Sequence, residues 1–224
     1  MNPIFVPLEG SSEQYRAEPM CQSKVCGDWV HTVDCGDRVG AWLSEFLGKP
    51  CRLIRQSPDF NRGRRRGHNT GGSGVSLSLV NEAQYLMINK ASIDLLQEHI
   101  IHRNRSGSHQ QFDIQQLINR FRANLVIWGK EPFEEDEWTS LKIGNTLFKV
   151  AGQCGRCQMI GIDQSTAARN QEPLQSLATC RNGKVTFGMY LIHNSQETSS
   201  SVLTVGSPVI PETSAARQKM NDTP

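Results

Sequence analysis

The last third of this 224-residue chain is a series of short apolar segments broken by turn residues, and that pattern constrains the fold most. Segments 141–144, 146–150, 158–162 and 185–192 each read as a strand, with 202–205 and 208–210 ending the series. Arg181-Asn182-Gly183-Lys184 carries the strongest hairpin signal in the chain. Upstream, Trp29-Val30-His31-Thr32-Val33, 51–54, 75–80 and Asn124-Leu125-Val126-Ile127-Trp128-Gly129 add strand candidates. Many short strands with few helices predict an α+β domain with a curved, mostly antiparallel, β-barrel-like sheet.

Helical spacing is confined to a few places. Val39, Trp42, Leu43, Phe46 and Leu47 follow i, i+3, i+4, i+7, i+8, with Asp37 placed to cap and Gly48 and Pro50 to stop the helix. Ile93, Leu96 and Ile100 predict a helix over 92–102, and Ile114, Leu117, Ile118 and Phe121 one over 113–121. Asn81-Glu82-Ala83 reads as the cap of a short helix, and Pro173 opens another through Leu174 and Leu177. Residues 1–24 read as an extended lead-in, 103–110 as a polar loop and 212–224 as a disordered tail. The basic, glycine-rich stretch 57–74 cannot form a core and reads as a mobile surface loop, with a nucleic-acid patch as the lesser alternative.

Charge and cysteine content narrow the function classes. Lys and Arg number 24 against 22 Asp and Glu, a net charge of +2 that neither demands nor excludes nucleic acid. No run of 18 apolar residues is present, so no membrane span is expected. The first residues lack a basic segment followed by an apolar core, so no secretory signal is expected. Seven cysteines without a dense framework suit reduced thiols and a cytoplasmic setting.

Three local patterns could carry chemistry. Cys154-Gly155-Arg156-Cys157 is the only close cysteine pair. It could be half a zinc site, but a second ligand pair is missing. It could be a redox pair, but the following 158–162 reads as strand rather than helix. On spacing alone, buried structural cysteines are the commonest answer. Arg120-Phe121-Arg122-Ala123-Asn124 offers two guanidiniums that could fork onto a phosphate, or serve as surface charges at a helix C-terminus. Glu134-Glu135-Asp136-Glu137, between Phe133 and Trp138, reads as a solvated loop or helix N-terminus, since consecutive acids do not face one another.

Taken in order, these motifs resemble a known family. Arg120-Phe121-Arg122-Ala123-Asn124, Glu135-Asp136-Glu137-Trp138, Cys154-Gly155-Arg156-Cys157-Gln158-Met159-Ile160, Phe187-Gly188-Met189-Tyr190-Leu191 and Val205-Gly206-Ser207-Pro208-Val209 are similar to the MOSC domain. That domain is shared by the molybdenum cofactor sulfurases and the amidoxime-reducing proteins. The cysteine motif, with Asn81-Glu82-Ala83-Gln84-Tyr85-Leu86, is most similar to the C-terminal part of eukaryotic sulfurases. The resemblance spans 25–211, whose start would be a remnant of the family's N-terminal β-subdomain. It implies a molybdenum cofactor site with Cys157 as catalytic residue and molybdenum ligand. Arg122, Asn124, Gly155, Arg156 and Tyr190 would contact molybdopterin, Arg122 through its phosphate. The family's pyridoxal-phosphate desulfurase domain finds no room in this chain, which would then be a fragment or short isoform. The implied function is receipt of sulfur on molybdenum, giving the cofactor used by xanthine dehydrogenase and aldehyde oxidase. A non-catalytic molybdopterin carrier and an amidoxime-type reductase are the alternatives, with no nucleic-acid or membrane partner expected. The family's Asp-x-x-Thr-Gly reads Asp163-Gln164-Ser165-Thr166-Ala167 here, so the loop is expected to change where glycine is lost.

Overall fold

The computed structural model describes residues 1–7, 20–25, 28–57, 82–104, 113–194 and 202–213. These fall into two compact units, one before Ala83 and one from Ala83 onward. The strand expected at 75–80 lies outside the described residues, as do the loop 57–74 beyond Ser57, the loop 103–110 beyond Asn104, where 103–104 are helical, and the tail 212–224 beyond Thr213, where 212–213 are in a strand.

The first unit holds a three-stranded antiparallel sheet of β1 (Met20–Val25), β2 (Asp28–Asp34) and β3 (Ile54–Gln56), with helix α1 (Asp37–Leu47). β1 falls within the expected extended lead-in, where its ladder to β2 gives the backbone groups partners that a lead-in would lack. α1 has the predicted limits, but Gly36 rather than Asp37 is its N-cap. Asp37 instead pairs with Arg52 at 2.8 Å, and the Asp34 carboxylate accepts from both Gly36 N and Arg52 at 2.8 Å. Gly48 ends the helix at φ 66°, a left-handed conformation that suits glycine.

The second unit is a curled, half-barrel sheet of six strands in the order β5-β4-β8-β7-β6-β9. These are β4 (Tyr85–Asn89), β5 (Leu125–Ile127), β6 (Trp138–Ile143), β7 (Thr146–Gly155), β8 (Thr186–His193) and β9 (Val209–Thr213). All neighbours run antiparallel except β4 and β5. That parallel pair requires a crossover, which α2 (Lys90–Asn104) and α3 (Ile114–Phe121) supply. α4 (Leu174–Cys180) precedes β8. The mixed α+β class and mostly antiparallel sheet agree with the sequence expectation.

Two apolar clusters line the sheet. Ile88 and Phe187 pack with Ile93, Leu96, Leu117, Phe121, Ile160 and Leu177 from the helices and the cysteine-motif turn. Met87, Met189 and Leu191 join Leu141, Phe148 and Val150 in the other cluster. Alternation on β4 sends Met87 and Ile88 to opposite clusters. On β8, Phe187 and Met189 would share a face in regular strand, yet they enter different clusters. Gly188 explains this: it has φ 78°, beside the register shift where β7 Gln153 and Gly155 face Met189 and Thr186.

Three local expectations are corrected. Asn81-Glu82-Ala83 opens no helix; a bend over 82–84 leads directly into β4, whose residues are mostly buried. Residues 158–162 form a 3-10 turn over Gln158–Gly161 instead of a strand. Arg181-Asn182-Gly183-Lys184 joins a helix to a strand, so no hairpin forms. The turn chemistry was legible, since Asn182 and Gly183 both have positive φ, but Gly183 N donates to Ala178 O at 2.7 Å and so closes α4.

Candidate functional site

The end of β7 carries the cysteine motif. Its two thiols are placed differently: Cys154, on β7, is buried, 4% exposed, whereas Cys157, beyond the strand end, is exposed. Among the cysteines with described side chains, Cys157 is the only exposed one. Burial pushes the Cys180 thiol up, which makes it a poorer nucleophile. Cys157 caps the 3-10 turn, and Ile160 anchors that turn in the helix-side core. The next segment folds back on it: Asn170 N donates to Gly161 O at 2.8 Å, and Ile162 bridges to Arg169. Between turn and returning segment lies a cleft of about 800 Å³, lined by Cys157, Met159, Ile162, Arg169, Leu174 and Gln175 among others.

The two arginines before β5 separate into different roles. Arg120 is 2% exposed, its guanidinium donating to Ile160 O at 3.3 Å and pairing with Asp163 at 3.1 Å. Arg122 is the αL C-cap of α3, with φ 53°, and its exposed side chain makes no ion pair among the described residues. Asn124 is tied to the sheet, its Oδ1 accepting from Leu86 N at 2.8 Å and its N donating to Leu86 O at 2.9 Å. Tyr190 is half-buried on β8, opposite Leu86 on one side and Gly152 on the other. Gly155 is exposed, and a Cβ added there would meet nothing.

Arg156 connects the two groups. Its Nη1 donates to Cys154 Sγ at 3.0 Å and its Nη2 to the Phe121 carbonyl at 2.6 Å. The guanidinium also lies 5.1 Å from the Phe121 ring centroid. The structure thus brings Arg156 and the residue preceding Arg122 together. Tyr190 is four residues along β8 from the Thr186 that faces Gly155, on the order of 13 Å along a strand.

Two features were not legible locally. Glu135, expected in a solvated segment, is fully buried in the 3-10 turn Glu134–Glu137. Its carboxylate accepts from Asn89 Nδ2 at 2.9 Å and Ser92 Oγ at 2.8 Å. Burial holds it above the ordinary glutamate range despite these donors. Asp163 is held below the usual range, chiefly by the Thr166 and Ser165 amides that donate to it. That loop ends at Ala167 with φ 59°, so alanine adopts the conformation that glycine would take more cheaply.

The MOSC domain profile matches residues 63–210. The chain belongs to the MOSC domain family. It is 57% identical over 218 residues to the molybdenum cofactor sulfurase of Danio rerio, a match covering 96% of this chain and 26% of that protein. The molybdenum cofactor sulfurases of Bos taurus and Homo sapiens are 48% and 47% identical, each over 94% of this chain and 24% of the relative. The chain therefore spans about a quarter of the length of these MOSC relatives. Among the described residues no helix is long and apolar enough to cross a membrane.

Proposed function

We propose that this MOSC chain is the cofactor-binding part of a cytoplasmic molybdenum cofactor sulfurase, with Cys157 facing molybdenum. The observation that carries this reading is the exposed Cys157 thiol at a cleft of about 800 Å³. The residues present suit the group. A thiolate is a soft ligand for a soft metal–dithiolene centre, and a phosphate takes an arginine fork such as the exposed Arg122. When bound, the molybdenum group supplies the centre that receives sulfur. The chain's own part is to hold and orient it. Asn124 and Tyr190 brace the Leu86 segment beside Arg122, and Gly155 leaves space next to the thiol. The segment from 25 to the start of the profile match is proposed as the remnant of the family's β-subdomain. Sulfur would come from a pyridoxal-phosphate desulfurase domain, with xanthine dehydrogenase and aldehyde oxidase receiving the product.

The test is equilibrium binding of molybdopterin to the chain and its variants. Arg122→Ala is expected to weaken binding about ten- to hundredfold, the worth of hydrogen bonds to a charged group. Cys157→Ala is expected to leave the fold intact and to abolish sulfuration when the desulfurase is supplied. Full binding by Arg122→Ala together with full sulfuration by Cys157→Ala would overturn the assignment.

A further inference from the structure

An arginine that grips a ligand phosphate presents an open fork. Arg122 does so, and Arg156 does not. Both terminal nitrogens of Arg156 are engaged, one by Cys154 Sγ at 3.0 Å and one by the Phe121 carbonyl at 2.6 Å. Its Nε is buried without a hydrogen-bond partner. Its backbone N donates to Val185 O at 2.8 Å, which fixes the peptide to the start of β8. The Phe121 carbonyl belongs to the last turn of α3, where carbonyls lack helical partners and a cation is favoured. The next residue, Arg122, takes its αL conformation from that point. The residue after Arg156 is Cys157. One side chain thus ties the peptide that precedes Arg122 to the peptide that precedes Cys157.

We infer that Arg156 is a positioning residue: it latches the C terminus of α3 to the end of β7 and so sets Arg122 relative to Cys157. This replaces direct contact with the cofactor as its role, and it rests on the reading of Arg122 and Cys157 given above. If Arg156 acts through Arg122, its loss matters only while Arg122 is present. If it gripped the ligand itself, the two losses would add.

The experiment is a double-mutant cycle on molybdopterin affinity with Arg122→Ala, Arg156→Gln and the pair. Melting temperature and the rate of Cys154 alkylation by iodoacetamide are read alongside. Arg156→Gln alone is expected to weaken binding about tenfold, but less than about twofold in the Arg122→Ala background. Arg156→Lys should restore part of the affinity, since an ammonium lacks the planar fork that spans both acceptors. It also serves as the second variant if Arg156→Gln does not fold. The Cys154 alkylation rate should change at least about threefold, because the guanidinium that donates to its sulfur is gone. Equal tenfold losses in both backgrounds overturn the inference, as does a Cys154 rate unchanged from the parent. Unaltered binding by Arg122→Ala would instead sink the functional reading and with it the coupling to ligand, while the Cys154 rate still reports whether the latch exists.

Discussion

Arg120 and Asp163 form an ion pair of 3.1 Å in which the arginine side chain is 2% exposed and the aspartate 18%. The pair joins the last turn of α3 to the segment following the cysteine motif. With the bond from Arg120 to Ile160 O, it holds the Gln158–Gly161 turn against the helix. Replacing Arg120 with methionine keeps much of the volume and removes the charge. Asp163 is partly exposed and retains the Ser165 and Thr166 donors, so no buried charge is left unpaired and the variant should lose stability only through the missing bonds to Ile160 O and Asp163. Urea unfolding of Arg120→Met checks this, and a change under about 1 kcal/mol would show that the pair is not structural.

Glu135 gives a pH dependence of definite sign. Its carboxyl is held above the ordinary range by burial, so the folded state binds its proton more readily than the unfolded one. The stability this group contributes is complete below the ordinary glutamate value and is lost as pH rises through the higher folded value. Glu135→Gln removes the titration, and the new amide can donate to Ser92 Oγ while its oxygen accepts from Asn89. The variant is expected to be at least as stable as the parent at neutral pH, with a flatter stability profile on the acid side. Parallel profiles from urea unfolding across that range would contradict it.

Gly188 should resist replacement. Its φ is 78°, and an added Cβ would lie 2.5 Å from Met87 O and 2.9 Å from Ile88 Cγ2. Strained backbone and overpacking together predict a loss of roughly 2–4 kcal/mol for Gly188→Ala. Phe187 should also lose its place against Phe121, where the rings stack at 4.2 Å. Near-ultraviolet circular dichroism and chemical unfolding report the two effects.

Ala167 should welcome glycine. At φ 59° the alanine bears a cost that glycine avoids, partly offset by the entropy glycine loses on folding. Ala167→Gly is expected to stabilise the chain by about 0.5–1 kcal/mol, read as a rise in melting temperature. A fall would mean that the Asp163 turn holds its shape through the alanine side chain.

Periodic features were legible in the sequence. The spacing of Ile114, Leu117, Ile118 and Phe121 predicts α3, which runs Ile114–Phe121 with Asp113 capping it through Gln115 N. α1 likewise has its predicted span, because Gly48 and Pro50 stop any helix. What failed depended on distant partners. The segment 158–162 has the composition of a strand, yet Arg156 N takes the last ladder bond to Val185 O, and the chain then turns. Glu135 stands among acids that read as solvated, and only Asn89 and Ser92, more than forty residues away, provide its buried site. Arg120 and Arg122 look alike in sequence. Helical geometry buries the first under Ile160 and leaves the second at the αL cap. The site residues came from the order of the motifs, because no single spacing distinguishes Cys157 from Cys154 until β7 turns one inward.

The opposed placement of Cys154 and Cys157 also determines how the chain ages in air. A peroxide reaching the outer thiol makes a sulfenic acid, which needs a second thiol within reach to close a disulfide. Cys154 faces the interior beneath Arg156, so ring closure would require the end of β7 to unpeel. Damage at Cys157 would therefore pass outward, to glutathione or to the same cysteine of another molecule. Stored preparations should accumulate reducible mixed disulfides and covalent dimers through Cys157 rather than a Cys154–Cys157 crosslink.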